Sequence, residues 1–444
     1  MPDPTIATSF SALLCGFANC FTGPSFESFR HLIAGWVLCI GQHTVTGLIQ
    51  AAGLVGTKHY SSFHYFFRAQ WEPDRVGLVL LRLVLKQVPP FAPVVVAIDD
   101  TLARHTGKNI SSAGMHRDPL LSTATKVAYH FGHVWVVLAV VVTVPRWNKS
   151  FALPVLMRLY RSVKICERMG VAHKKKTALA VELILLLKEA LPNREVVVVG
   201  DNAFANREVI TKLPSKTTFV GRGPMDAAVN ALPARRRKGQ MGRTRVKGER
   251  LPSPQERAAD PNAAWESVDV DIYGRPATVR VQVFDALWHK SGKGRFLRFI
   301  VIRGWPGHKK DDVLICTDTT KTAAWIIEIY CLRWTEEETF KWCKGKLGLE
   351  DAQNRKEQAV LRTAPMAFWT YSLVVVWYLT VGENTRGARF PVLPWYASKK
   401  TPSFSDMLAA LRRETWTCRL GDRAGLTRST QKSLESLVDA VGYG

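Results

Sequence analysis

The chain has 444 residues, 47% of them hydrophobic, which is enough to bury a large core over two or three domains and too apolar for a disordered protein. Lys and Arg outnumber Asp and Glu by 61 to 37, giving a net charge of +24; an excess of this size usually serves a polyanionic partner, most often nucleic acid, although a basic but otherwise ordinary protein has the same charge. The eight cysteines are scattered through apolar segments with no C-x-x-C pair, which fits buried thiols in a reducing cytosol and argues against a zinc site.

The N-terminal MPDPTIATSF lacks a basic stretch, so no signal peptide is expected. Residues 1–90 are expected to be helical, either as a cap over the core or as a DNA-contacting domain, with no sharp helix-turn-helix signature. Phe26–Leu54 carries apolar residues at helical spacing, Ser61-Ser62-Phe63-His64 has the pattern of a cap and helix start, and Arg75–Val88 is an amphipathic stretch stopped by Pro89-Pro90. Two uncharged runs, Leu32–Thr57 and Thr363–Gly382, are long enough to cross a bilayer. Gln42, His43, Thr44, Thr46 and Gln50 weigh against a lipid-facing helix in the first, and the second is expected to be a buried core helix, so no membrane partner is expected.

Pro93–Asp100 (PVVVAIDD) reads as a fully buried strand ending in two carboxylates, at the sheet rim where α/β proteins place their chemistry. Asp99 and Asp100 point to opposite sides of such a strand. Leu102–Lys126, with Arg104, His105, Lys108, His116, Arg117 and Lys126, reads as a basic loop that either grips a phosphate backbone or is a solvated connector. Val127–Val144 is the next strand, with a bend expected near Gly132; His130 and His133 on it are expected to be structural. Phe151–Val155 is a third strand. Lys174–Leu191 is a helix, and Arg194–Asp201 (REVVVVGD) is another buried strand ending in a carboxylate. A nucleotide-binding unit is the competing reading, but no G-x-G-x-x-G or G-x-x-x-x-G-K-[ST] lies at a strand-to-helix turn.

Thr217–Gly221 closes the expected core. A basic, Gly- and Pro-containing segment follows, with Arg235, Arg236, Arg237 and Lys238, then Arg243, Arg245, Lys247 and Arg250; it either wraps DNA or is a solvated loop. Ser267–Tyr273, Thr278–Phe284, Arg295–Ile302 and Asp312–Thr317 read as strands of an inserted β-subdomain.

Tyr330–Lys344 (YCLRWTEEETFKWCK) reads as one helix, with Thr319 and Thr320 as cap candidates. At about 100° per residue, Tyr330, Arg333, Glu337 and Lys344 share a sector, with Trp334 and Lys341 beside them, while Glu336 and Glu338 point away. A carboxylate among such residues suits a site that holds a metal ion and steers phosphate. Beyond it, Pro365–Val381 is the apolar helix, Gly382–Lys400 a linker and Ser403–Trp416 an amphipathic helix, with a polar tail from Arg419.

The spacing Tyr330, two residues, Arg333, three, Glu337, six, Lys344, followed by Leu347-Gly348-Leu349-Glu350, resembles the YREK signature of bacterial insertion-sequence transposases of the DDE (RNase H-like) superfamily. The resemblance covers about Val94–Leu349 and departs at Glu336, where that family commonly has an aliphatic residue. It implies an α/β fold: an RNase H-like mixed-sheet catalytic core in two parts (91–222 and 318–382), a basic and β-rich insertion (223–317), an N-terminal helical domain (1–90) that contacts DNA, and a C-terminal helical and linker region (383–444). It implies three catalytic, metal-binding carboxylates. The family's Asp-Thr after an apolar strand selects Asp100 over Asp99, the strand–Asp–helix unit selects Asp201, and Glu337 is the third. Two Mg²⁺ ions, with Mn²⁺ as a substitute, are the implied cofactors.

By the same resemblance Tyr330, Arg333 and Lys344 contact the transposon end; from their charge and position alone, Lys341, Arg104, Arg235, Arg236, Arg237 and Lys238 are expected as further DNA contacts unless their segments are solvated loops. Trp334 either stacks on a displaced base or packs in the core. The implied activity is cut-and-paste transposition by a cytoplasmic, nucleoid-associated enzyme. Its partners are double-stranded DNA with terminal inverted repeats and target DNA, and it acts as a homodimer on DNA. A nuclease without strand transfer, or a DNA-binding protein no longer catalytic, are the alternatives.

Overall fold

The computed structural model describes residues 5–107, 109–118, 121–123, 125–235, 241–381, 397–420 and 427–443. Residues 382–396 of the expected linker Gly382–Lys400, Lys108 of the expected basic loop and the basic residues Arg236, Arg237 and Lys238 lie outside them.

The N-terminal helices are α1 (Thr8–Leu14), α2 (Gly23–Leu38), α3 (Val45–Ala51), α4 (Tyr60–Phe66) and α5 (Pro73–Leu85). The long uncharged run is broken between α2 and α3, where the Thr44 hydroxyl accepts from the Gly47 N–H and starts a new helix. The strands follow as β1 (Val94–Arg104), β2 (Gly114–Arg117), β3 (Tyr129–Val144) and β4 (Lys149–Tyr160). The bend expected at Gly132 is absent: β3 is one strand, and β1 and β2 flank it there.

Next come α6 (Val163–Met169), α7 (Lys176–Ala190), β5 (Val196–Gly200), α8 (Arg207–Thr211) and β6 (Thr217–Arg222). Asn206 caps α8 by accepting from the N–H groups of Glu208 and Val209. Then follow α9 (Pro254–Ala259), β7 (Glu266–Ile272), β8 (Arg275–Leu287), α10 (His289–Gly292), β9 (Phe296–Arg303) and β10 (Asp312–Cys316).

One ten-stranded sheet joins them in the order β2-β3-β1-β5-β6-β10-β9-β8-β7, with β4 on the rest of β3. β1, β5 and β6 are parallel at its centre, and β3 is antiparallel to β1. This mixed α/β sheet with helices on both faces is the RNase H-like fold that the sequence implied. The strands of the expected insertion extend the same sheet, because β10 pairs with β6 through Leu314–Cys316.

The chain closes with α11 (Ala323–Cys331), α12 (Trp334–Lys346), α13 (Glu357–Thr380), α14 (Phe404–Leu420) and α15 (Arg428–Tyr443). The stretch expected as one helix is therefore two, separated at Leu332-Arg333. Thr322, not Thr319 or Thr320, caps α11 by accepting from the Trp325 N–H.

Helix α13 is the one described helix long and apolar enough to cross a membrane, and 94% of its most apolar stretch is buried inside the protein. Its polar groups are spent on β4: the Trp369 indole N–H donates to the Val155 carbonyl at 3.1 Å and the Ser372 hydroxyl to that of Pro154 at 2.8 Å. The N-terminal helices share this core. Trp36 donates to the Leu347 carbonyl, the Arg362 guanidinium to those of Phe67 and Trp71, and buried Arg412 to those of Val37 and Cys39. All eight cysteines are unpaired thiols, six of them buried.

His133 is 3% exposed and bonded through Nε2 to the Ser111 carbonyl at 2.8 Å, with the His105 ring 4.8 Å away. Burial, aided by nearby His105, His116 and Arg161 and opposed by the Ser111 contact, pushes its pKa down to about 4. The unfolded chain, with an ordinary pKa of 6.5, takes up this proton first. The native state is therefore expected to lose up to about 3 kcal/mol as pH falls from 6.5 toward 4. Urea unfolding measured across that range should show the loss, and His133→Gln should flatten it.

Candidate active site

β1 and β5 run parallel in a register that pairs Ile98 with Gly200. One residue beyond this register stand Asp99 on β1 and Asp201, just past the end of β5, close enough for the Asp201 charge to act on Asp99. The side-chain alternation fixes which way each points. Val95 and Ala97, of the same parity as Asp99, pack with Leu332 on the α11–α12 side, and Val197 and Val199 pack on that side with α11. Val96 and Ile98, of the same parity as Asp100, point to the opposite face of the strand.

The ion pairs follow this division. Asp99 Oδ2 lies 3.0 Å from Arg333 Nη1, whereas Asp100 Oδ2 lies 2.7 Å from Lys176 Nζ at the start of α7. The other terminal nitrogen of Arg333 is 2.6 Å from Glu337 Oε1. The face thus collects Asp99, Asp201, Arg333 and Glu337; Asp100, the aspartate expected from the Asp-Thr pattern, pairs instead with Lys176, although its charge also helps to raise the Asp201 pKa. The two neighbours share one strand, and the pleat gives them different partners.

The electrostatics of this face are those of crowded carboxylates short of water. Burial, then the neighbouring Asp201, raises the Asp99 pKa to about 7 against the pull of Arg333. Asp201 is raised as well, chiefly by burial; the N–H groups of Ala203 and Phe204 donate to its Oδ1 at 2.9 and 3.3 Å and oppose the shift. Burial alone would lower the Arg333 pKa, but Asp99 and Glu337 outweigh it and raise it.

Glu336 departs from the sequence reading. It is completely buried, neither carboxylate oxygen has a hydrogen-bond partner, and after burial Asp99 is the strongest influence raising its pKa. Phe340 and Cys343 are buried on the same stripe of α12, four and seven residues on. That apolar spacing, counted backwards, was the signal for an inward Glu336. A helical wheel separates Glu336 from Glu337 but does not say which of the two sides faces the core.

The remaining expected contacts divide into two groups. Near the carboxylates, Tyr330 is half-buried with its ring 6.0 Å from Trp305, and Trp334 is 48% exposed with its ring 6.0 Å from Tyr273. Lys341 is exposed further along α12. In the second group, Arg104 is ion-paired with buried Asp118 at 2.7 Å, and its N–H donates to Glu350. Glu350 also lies 4.0 Å from Lys344, whose pKa burial lowers. Arg104 is thus the end of β1 tied to acids, not part of an open loop. His130, 3.1 Å from Asp118, and His133 both have structural partners. Arg235 is exposed.

The family described as DDE superfamily endonuclease matches residues 16–292, more than half of the chain. The chain belongs to this family. It is therefore a member of a group of nucleic-acid-cleaving enzymes of the DDE transposase type, whose chemistry is generally dependent on divalent metal. No curated protein matches the chain. The matched residues of this DDE endonuclease include Asp99, Asp100 and Asp201 and stop before α11, so Tyr330, Arg333, Glu337 and Lys344 stand on spacing and geometry.

The donor set fits a divalent cation. Hard carboxylate oxygens crowd together at low solvation, and two of them, on Glu336, lack any partner. Among the described residues, no three acids, histidines or cysteines already converge as a metal-binding group, and Arg333 bridges Asp99 and Glu337. A cation would take over the neutralising role that the guanidinium has here.

Proposed function

We propose that this DDE endonuclease is a transposase that cleaves DNA at terminal inverted repeats and joins the freed ends to target DNA, with Asp99, Asp201 and Glu337 as its catalytic carboxylates. The observation that carries this reading is the adjacency of Asp99 and Asp201 across β1 and β5, beneath the Arg333–Glu337 pair of α12. Magnesium, with manganese as a substitute, suits an all-oxygen site that borrows ligands from phosphate. When bound to these carboxylates, it would supply Lewis-acid activation of a water or 3′-hydroxyl and neutralise developing charge on phosphate.

The protein's own groups have distinct tasks. Asp99 and Asp201 project from a rigid parallel pair, which fixes the reacting phosphate relative to the sheet. Arg333, released from its carboxylates, is the two-pronged phosphate donor, and Tyr330 beside it adds a hydroxyl. The exposed Trp334 ring offers a stacking surface for an unpaired base, and Lys341 and Lys344 extend the contact along the strand. The basic segment through Arg235 and the net charge of +24 supply non-specific attraction to double-stranded DNA. We place the enzyme on nucleoid DNA as a homodimer, one protomer per transposon end.

Incubating the protein with Mg²⁺ and DNA carrying the inverted repeats that flank its reading frame tests this reading. Joined products are expected. Cleavage without joining would make it an endonuclease of the same core, and metal-independent binding without cleavage would make it a DNA-binding derivative.

A further inference from the structure

We infer that Glu336 is a fourth carboxylate of the site, lending an oxygen to the cation held by Asp99. This rests on the metal-site reading above and adds a ligand to it. Glu336 heads the inward stripe of α12, where its companions Thr339, Phe340 and Cys343 are buried. The stripe is fixed in place: the Thr339 hydroxyl donates to the Ala152 carbonyl of β4 at 2.8 Å.

An aliphatic side chain at 336 would complete this stripe at no electrostatic cost. The chain instead buries a carboxylate fully and leaves both of its oxygens without a hydrogen-bond partner. A carboxylate so placed is costly unless something positive reaches it. Arg333, three residues earlier, has its terminal nitrogens on Asp99 and Glu337, and neither Glu336 oxygen has a hydrogen-bond partner. α12 packs on β1, whose Asp99 is held 3.0 Å from Arg333 at the head of that helix. Asp99 from β1 and Glu336 from α12 would both offer hard oxygen ligands to a single divalent cation.

The inference predicts opposite effects of one substitution on stability and on metal binding. Titrating the full-length, DNA-free protein with Mn²⁺ and following the electron-paramagnetic-resonance signal of the free ion measures binding without reference to activity. Glu336→Ile should weaken Mn²⁺ binding by about 10- to 100-fold while raising the Tm of the metal-free protein. Glu336→Gln, which keeps the shape, should weaken binding similarly, and Glu338→Gln, on the exposed side of α12, should not. If Asp99→Asn weakens Mn²⁺ binding and neither Glu336 variant does, the fourth carboxylate is overturned and the three-carboxylate site stands. If Asp99→Asn also binds as the wild type does, the site reading itself falls.

Discussion

Asp99→Asn is expected to reduce Mg²⁺-dependent DNA nicking by roughly a thousandfold or more, which is about 4 kcal/mol of transition-state stabilisation. Asp100→Asn is expected to stay within about tenfold of the wild type. The two residues are adjacent in sequence and isosterically replaced, so the contrast isolates the direction of the side chain. Asp99 lies beside Asp201 on the face covered by α11 and α12, with Arg333 at 3.0 Å. Asp100 is on the opposite face, and its pair with Lys176 is partly exposed, at 23% and 37%, where screening by water leaves such a pair little net worth. A supercoiled plasmid nicking assay with both variants at equal protein concentration measures the difference. Equal loss in both, or loss only in Asp100→Asn, would reverse the assignment.

Arg333→Gln is expected to cost about 3 kcal/mol of stability in the absence of divalent metal, because it strips Asp99 and Glu337 of their shared cation while both remain in place. Arg333 and Asp99 are each only 15% exposed, so solvent does little to replace the lost contact; Glu337, at 37%, is hydrated more easily. Added Mg²⁺ should restore more stability to this variant than to the wild type, since a bound cation stabilises the native state by mass action and here meets no competing guanidinium. Urea unfolding in EDTA and in Mg²⁺ gives the four values needed. A loss identical in both conditions would mean that Arg333 and the cation do not share these carboxylates.

Much of this arrangement was legible in the sequence. The runs Val94–Ile98 and Val196–Val199 announced buried strands, and the acids that end them lie at neighbouring positions of one sheet edge. The spacing of Arg333 and Glu337, one helical turn apart, put them on one face, and they form an ion pair.

Other features depend on what surrounds a residue. Asp99 and Asp100 are chemically alike, and only the packing of Val95 and Ala97 against Leu332 settles which one faces α12. Glu336 and Glu337 are likewise alike, and the inward stripe of Phe340 and Cys343 decides which is buried. The strands β7 to β10 were readable singly. Their union with the core sheet was not, because it rests on the Leu314–Arg222 pairing between segments 92 residues apart. Arg104 looked like a free cation in a basic loop, and only the fold reveals Asp118 and Glu350 beside it.

Anomalous diffraction from crystals of the full chain grown with Mn²⁺ and transposon-end DNA tests the central claim most directly. The account predicts a manganese peak bounded by carboxylate oxygens of Asp99, Asp201 and Glu337, with Arg333 no longer bridging Asp99 and Glu337. A peak on the Asp100–Lys176 side of the sheet, or manganese bound with no oxygen of Asp99 in its coordination shell, would contradict it.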